Sequence, residues 1–95
     1  MINGNIVEFI DKLYYGEELV FTYRNRKYFL QGFYIDDLKT AIMQLDDVSE
    51  IPFKGFIWEY QSNSMRECAE AFLNTPLRDG KVFIDIQEDI TWADW

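Results

Sequence analysis

Residues Glu18 to Ile35 read ELVFTYRNRKYFLQGFYI, and the alternation in this run decides the fold. Two β-forming segments flank the polar tetrad Arg24-Asn25-Arg26-Lys27, which is the pattern of a β-hairpin. With Asn25-Arg26 as the turn, Tyr23 faces Tyr28, Phe21 faces Leu30 and Leu19 faces Gly32, all on one face of the pair. The other face carries Thr22 with Phe29, Val20 with Gln31 and Glu18 with Phe33. One apolar face beside one mixed face describes a sheet covered on a single side. A four-residue loop, Arg24 to Lys27, keeps the same parity. Asn-Arg is a poorer turn than Asn-Gly because Arg resists positive φ. Gly32 opposite Leu19 marks either a bulge or a place where a helix packs close.

Upstream, residues 5–15 have helical spacing, with Ile6, Phe9, Ile10, Leu13 and Tyr14 on one stripe. Asn5 followed by Glu8 has the form of a capping box, and Gly16 sits where a helix commonly stops. Downstream, residues 36–46 fit two periods. Leu38, Ile42 and Leu45 make a helix face, whereas Ala41, Met43 and Leu45 make a strand face. The reading adopted is a turn at 36–39 and a strand at 40–45, continuing a meander. After a polar loop at 46–55, Phe56, Trp58 and Tyr60 alternate with Ile57 and Glu59 in a run of strong β formers. Residues 64–74 are the clearest helix. Ser64 and Glu67 form a second capping-box pattern, Met65, Cys68, Ala69, Phe72 and Leu73 make the stripe, and Pro76 lies past the end. Phe83, Ile86 and Ile90 fit a short helix and Val82, Ile84 and Ile86 a strand; the reading adopted is a helical turn at 82–87 and a final strand near 89–93. The fold class is therefore α+β: an antiparallel sheet of four or five strands with the helices at 5–15 and 64–74 packed on one face.

The run Gly16–Phe33 (GEELVFTYRNRKYFLQGF) and the run Glu67–Lys81 (ECAEAFLNTPLRDGK) resemble a group of short, acidic bacterial proteins of about this length. The shared pattern is one of core aromatics and turns. The resemblance implies a bacterial cytosolic protein and contributes no functional residue.

The bulk composition sets limits on function. Ninety-five residues make one domain, and 48% hydrophobic content with seventeen aromatics is that of a folded chain. Seventeen acids against nine bases give a net charge of −8, which disfavours nucleic acid and anionic membranes. The charge is uneven: residues 1–35 are neutral, with four acids and four bases, while 36–50 hold five acids and one base. A single cysteine forms no internal disulfide. Neither a signal peptide nor an apolar stretch of bilayer-spanning length is evident. These features describe a cytoplasmic protein that does not enter a membrane.

The chain contains no histidine, the usual proton shuttle near neutral pH and the commonest metal ligand. Cys68 lies on an apolar helix stripe with no activating base, so it reads as core. Ser49, Ser62 and Ser64 lack a catalytic partner and no G-x-S-x-G elbow occurs. Phosphate-binding glycine loops are absent. Asp36-Asp37, the group Asp46, Asp47 and Glu50, and Glu88-Asp89 are the candidate carboxylate clusters for a metal, and the run from Asp46 to Gly55 lacks the order of a calcium loop. The expectation is no enzyme, no cofactor and no metal.

Aromatic surplus is the better lead. A domain of this size cannot bury seventeen aromatic residues at about 150–250 Å² each. Phe29 and Phe33, on the mixed hairpin face, with Phe53 and Tyr34, are candidates for an exposed patch. The competing arrangement is that the C-terminal segment, with Trp92 and Trp95, folds over them. Arg24 and Arg26 at the hairpin tip form the cationic cluster beside these aromatics. The expected function is a noncatalytic protein–protein interaction or regulatory module, with Arg24, Arg26, Phe29 and Phe33 as its partner-binding residues. The partner is a protein, and a homodimer is also open to a face of this kind. The alternatives are an acidic inhibitor that mimics nucleic-acid phosphates, and behind it a small carboxylate enzyme using a divalent ion.

Overall fold

The computed structural model describes residues 1–49, 55–77 and 80–93. In chain order these form α1 (Ile6–Tyr14), β1 (Leu19–Tyr23), β2 (Arg26–Ile35), β3 (Thr40–Asp47), β4 (Phe56–Ser62), α2 (Met65–Asn74), α3 (Phe83–Ile86), a 3-10 turn (Gln87–Asp89) and β5 (Ile90–Ala93). The strands make one five-stranded antiparallel sheet in the order β4-β3-β2-β1-β5. This is the α+β architecture expected from the sequence. Residues 36–46 resolve as turn then strand, because a central strand buried on both faces here (Ala41, Ile42, Met43) has no use for helical spacing.

Each helix end follows from local chemistry. The Asn5 side chain accepts from the N–H groups of Val7 (2.8 Å) and Glu8 (3.3 Å), closing the open start of α1. At its other end Gly16 has φ +72°, the Gly16 N–H donates to Leu13 O and the Glu17 N–H to Lys12 O. That is a Schellman motif, which needs a left-handed residue after the cap. Ser64 occupies the N-cap of α2, yet its side chain makes no capping bond. Instead Ser62, at the end of β4, donates its hydroxyl to the Glu67 carboxylate, and the Ser64 N–H donates to Ser62 Oγ. The chain turns so sharply from strand to helix that the earlier serine reaches Glu67.

The β1–β2 register corrects the expected one by two residues. Tyr23 pairs with Arg26, Phe21 with Tyr28 and Leu19 with Leu30. The turn is Arg24-Asn25, with φ of +51° and +66°, the tight twisted turn that suits a hairpin. Asparagine takes the second central position, and Arg24 accepts positive φ with its guanidinium 5.4 Å from the Tyr23 ring centre. A slip of two leaves every side chain on its face, so the covered and uncovered faces are those expected. Gly32 is not at a bulge: it pairs with Met43. The irregularity lies in β4, where Leu45 pairs with Trp58 but Asp46 with Phe56, leaving Ile57 as the extra residue.

The core lies between the sheet and the helices. Phe83, in the one-turn α3, is its hub, with ring centres 5.0 Å from Phe9, 5.5 Å from Phe21 and 5.5 Å from Phe72. Trp92 meets Phe9 edge-on at 5.4 Å, so it packs on the helix side of β5. Ile2 bridges to this strand, accepting from the Trp92 N–H and donating to Ile90 O. Among the described residues no helix is long and apolar enough to cross a membrane.

Candidate functional site

Pleating divides the sheet into two surfaces. Leu19, Phe21, Leu30, Met43 and Leu45 face the helices and form the core with them. The outer surface is built from the alternate residues, and no described helix packs on it. The ladders place its side chains in rows across the strands. One row runs Phe33, Ile42, Gln61, a second Gln31, Gln44, Glu59, and a third Val20, Phe29, Asp46, Phe56. Two rows rich in apolar side chains therefore flank one polar row.

The polar row is knitted together. Gln44 Nε2 donates to Glu59 Oε2 at 2.8 Å, and Gln61 Nε2 donates to Glu59 Oε1 at 3.1 Å. Within the apolar rows Val20 and Ile42 are buried and Phe29 is half-buried, whereas Phe33 is 36% and Phe56 50% exposed. Ile35, the last residue of β2, is exposed on the same face. Asp46 sits between Phe29 and Phe56 in the third row, and burial pushes its carboxyl above the ordinary value. Among the described strand residues Asp46 and Glu59 are the acids of this face.

The β2–β3 turn displays a further apolar side chain, Leu38. Asp36, Asp37 and Leu38 all have positive φ, at +54°, +55° and +69°. Aspartate tolerates this region; a branched leucine does so at a cost. Leu38 is nonetheless 74% exposed, so the strain is not offset by burial of its side chain. The Lys39 N–H donates to the carbonyls of Ile35 and Asp36, which fixes the turn.

The four partner-binding residues expected from the sequence do not share one surface. Phe29 and Phe33 lie on the outer face, as the hairpin parity requires. Arg24 is exposed at the tip. Arg26 belongs to the helix-facing side, where its Nε and Nη2 donate to Asp47 Oδ2 at 2.8 and 2.7 Å. Asp47 is 1% exposed, and its other oxygen accepts from the Ser49 N–H at 3.0 Å. The carboxylate cluster at 46–50 is thereby divided: Asp46 faces outward, Asp47 inward, and Glu50 lies outside the described residues. No group of three or more metal-binding side chains converges among the described residues. Of the other candidates, Phe53 and Trp95 lie outside the described residues, and Trp92 is on the opposite side of the sheet from Phe33.

Cys68 is fully buried, with Sγ 3.5 Å from Ala41 O. Burial, with Glu67 beside it, pushes the thiol up from its ordinary value, which opposes thiolate chemistry. Signals missed in the sequence are Leu38 and Phe56, whose exposure depends on the turn conformation and on the β4 bulge. No family model, curated protein or solved structure matches the chain.

Proposed function

We propose that the protein is a noncatalytic interaction module whose working surface is the outer face of the sheet. The observation that carries this reading is the exposure of Phe33 and Ile35 at one end of the β2–β3 hairpin, on the side of the sheet that no described helix covers, with Leu38 exposed in the turn beyond them. Contiguous apolar exposure of this kind marks surfaces that meet another protein. The Leu38 backbone supports the same reading, because strain is retained where a displayed side chain has a use.

The partner is a protein with an apolar contact surface and basic groups placed to meet Asp46 and Glu59. Affinity comes from the buried aromatic and aliphatic side chains; the two carboxylates contribute orientation and discrimination. Phe33 and Phe29 belong to this surface, Arg24 borders it at the hairpin tip, and Arg26 serves the fold through Asp47. Photo-crosslinking tests the reading. A benzophenone amino acid placed at Phe33 or Phe56 in producing cells is expected to give discrete adducts. The same group at Val7 or Tyr15, exposed on α1 and just after it, is expected to give none. Equal crosslinking from both surfaces, or none from either, contradicts the proposal.

A further inference from the structure

Opposite the outer face, the helix layer stops before the sheet does. Helix α2 ends at Asn74, while β1 and β2 run on to the Arg24-Asn25 tip. Beyond the helix end lies a cleft of about 220 Å³, floored by Phe21, Tyr23, Tyr28 and Leu45, walled by Ile57 and Trp58, and roofed by Thr75, Pro76 and Leu77. We propose that this cleft is a binding site for a small, uncharged, planar aromatic molecule. The site is separate from the outer face and does not depend on its function.

Three observations select the ligand class. First, among the described residues no charged side chain lines the cleft, so an ion meeting these walls would shed water without gaining a counter-charge from them. Second, the walls are ring faces and edges. Phe21 and Tyr28 stack at 5.3 Å with 24° between planes, and Trp58 stands edge-on to Phe72 at 5.7 Å. A flat ring completes such a set in the offset and T-shaped geometries that aromatic groups prefer. Third, the volume of about 220 Å³ exceeds the roughly 150 Å³ of an apolar cavity that holds benzene. It falls below the roughly 300 Å³ where drug-sized pockets begin. One ring, or two fused rings, fits that interval.

The cleft is preformed. The Thr75 N–H donates to Phe72 O and its hydroxyl to Ala71 O at 2.6 Å, while the Leu77 N–H donates to Lys81 O and the Gly80 N–H to Leu77 O. These bonds fix the shape of the roof segment. The β4 bulge does the same for the wall, because the extra residue Ile57 lifts the strand out of line beside Trp58. Apolar space left unfilled costs stability in proportion to its volume, so a ring that fills it stabilises the folded chain by linkage.

The test is a titration of the full chain with toluene, followed by amide shifts and by cross-peaks from ligand to protein protons. The expected result is saturable shifts at Tyr28, Trp58 and Leu77, with cross-peaks from the toluene methyl to the Phe21 and Trp58 rings. Ile57→Trp, a change at a half-exposed rim position, is expected to weaken binding by about tenfold or more, a loss of about 1.4 kcal/mol. Phe33→Ala, on the opposite surface, is expected to leave it unchanged. Shifts that do not saturate, cross-peaks mapping to Phe33 or Ile42, or equal weakening by both substitutions would overturn the assignment. The cross-peaks decide the matter in the unsubstituted chain if Ile57→Trp does not fold.

Discussion

The N–H of Gly32, in the middle of β2, donates to the carbonyl of Gly16 at 3.1 Å, tying the end of α1 to the sheet. A methyl group on Gly32 would come within 2.8 Å of the Gly16 Cα and 2.7 Å of Met65 Sδ. The methionine can move; the backbone cannot. Gly32→Ala should therefore destabilise the fold by about 1–3 kcal/mol, as overpacking does. Adding Met65→Ala should recover none of the backbone part of that loss. Urea midpoints of the single and double variants measure both.

Arg26 holds the buried Asp47 carboxylate through two N–H groups. Arg26→Ala leaves the Asp47 carboxylate, 1% exposed, with its guanidinium removed. Breaking a fully buried pair costs about 3–5 kcal/mol. The Arg26 side chain is 34% exposed, so a loss of about 2–3 kcal/mol is expected here. Arg26→Lys should restore only part of it, because an ammonium cannot offer two N–H groups in a fixed fork. Chemical denaturation at neutral pH is the measurement.

Asp46 gives a pH dependence of known sign. Its carboxyl is raised in the folded chain by burial, so the folded state holds the proton more tightly than the unfolded one. The stability that follows is fully present below the unfolded value of about 3.9 and is lost as pH rises through the folded value. Asp46→Asn should thus be more stable than the parent at neutral pH. The advantage should shrink as pH falls toward the unfolded value, which thermal melts across the acid range would reveal.

The two serines before α2 should separate cleanly. Ser62→Ala removes the hydrogen bond to Glu67 and should cost about 1 kcal/mol. Ser64→Ala removes no side-chain cap and should change stability by less than about 0.5 kcal/mol. The reverse order of effects would mean that Ser64 caps the helix in solution.

Strand parity is a long-range average over many side chains, so the faces of β1 and β2 survive a two-residue error in the turn. The register itself depends on Arg24 accepting positive φ, a single local event that composition does not announce. Ser64 and Ser62 are equivalent in a linear pattern and differ only in the angle at which β4 meets α2. Phe83 is ambiguous because a single helical turn is too short for its period to be read, yet its ring organises the core. Phe33 was legible as an exposed aromatic because parity alone assigns it. The engagement of Arg26 was not legible, since Asp47 lies twenty-one residues away and a carboxylate next to another in sequence gives no sign of facing inward.

The most direct test of the outer face as a working surface is the size of the species in which the chain travels when producing cells are opened gently. Phe33→Glu places a charge in the exposed apolar row while leaving the core untouched, so its purified unfolding midpoint should match the parent. If the face binds a partner, the parent runs in an assembly well above 11.4 kDa and the variant runs as the free chain. If both run at the same size, the outer face of this sheet is not where the protein acts.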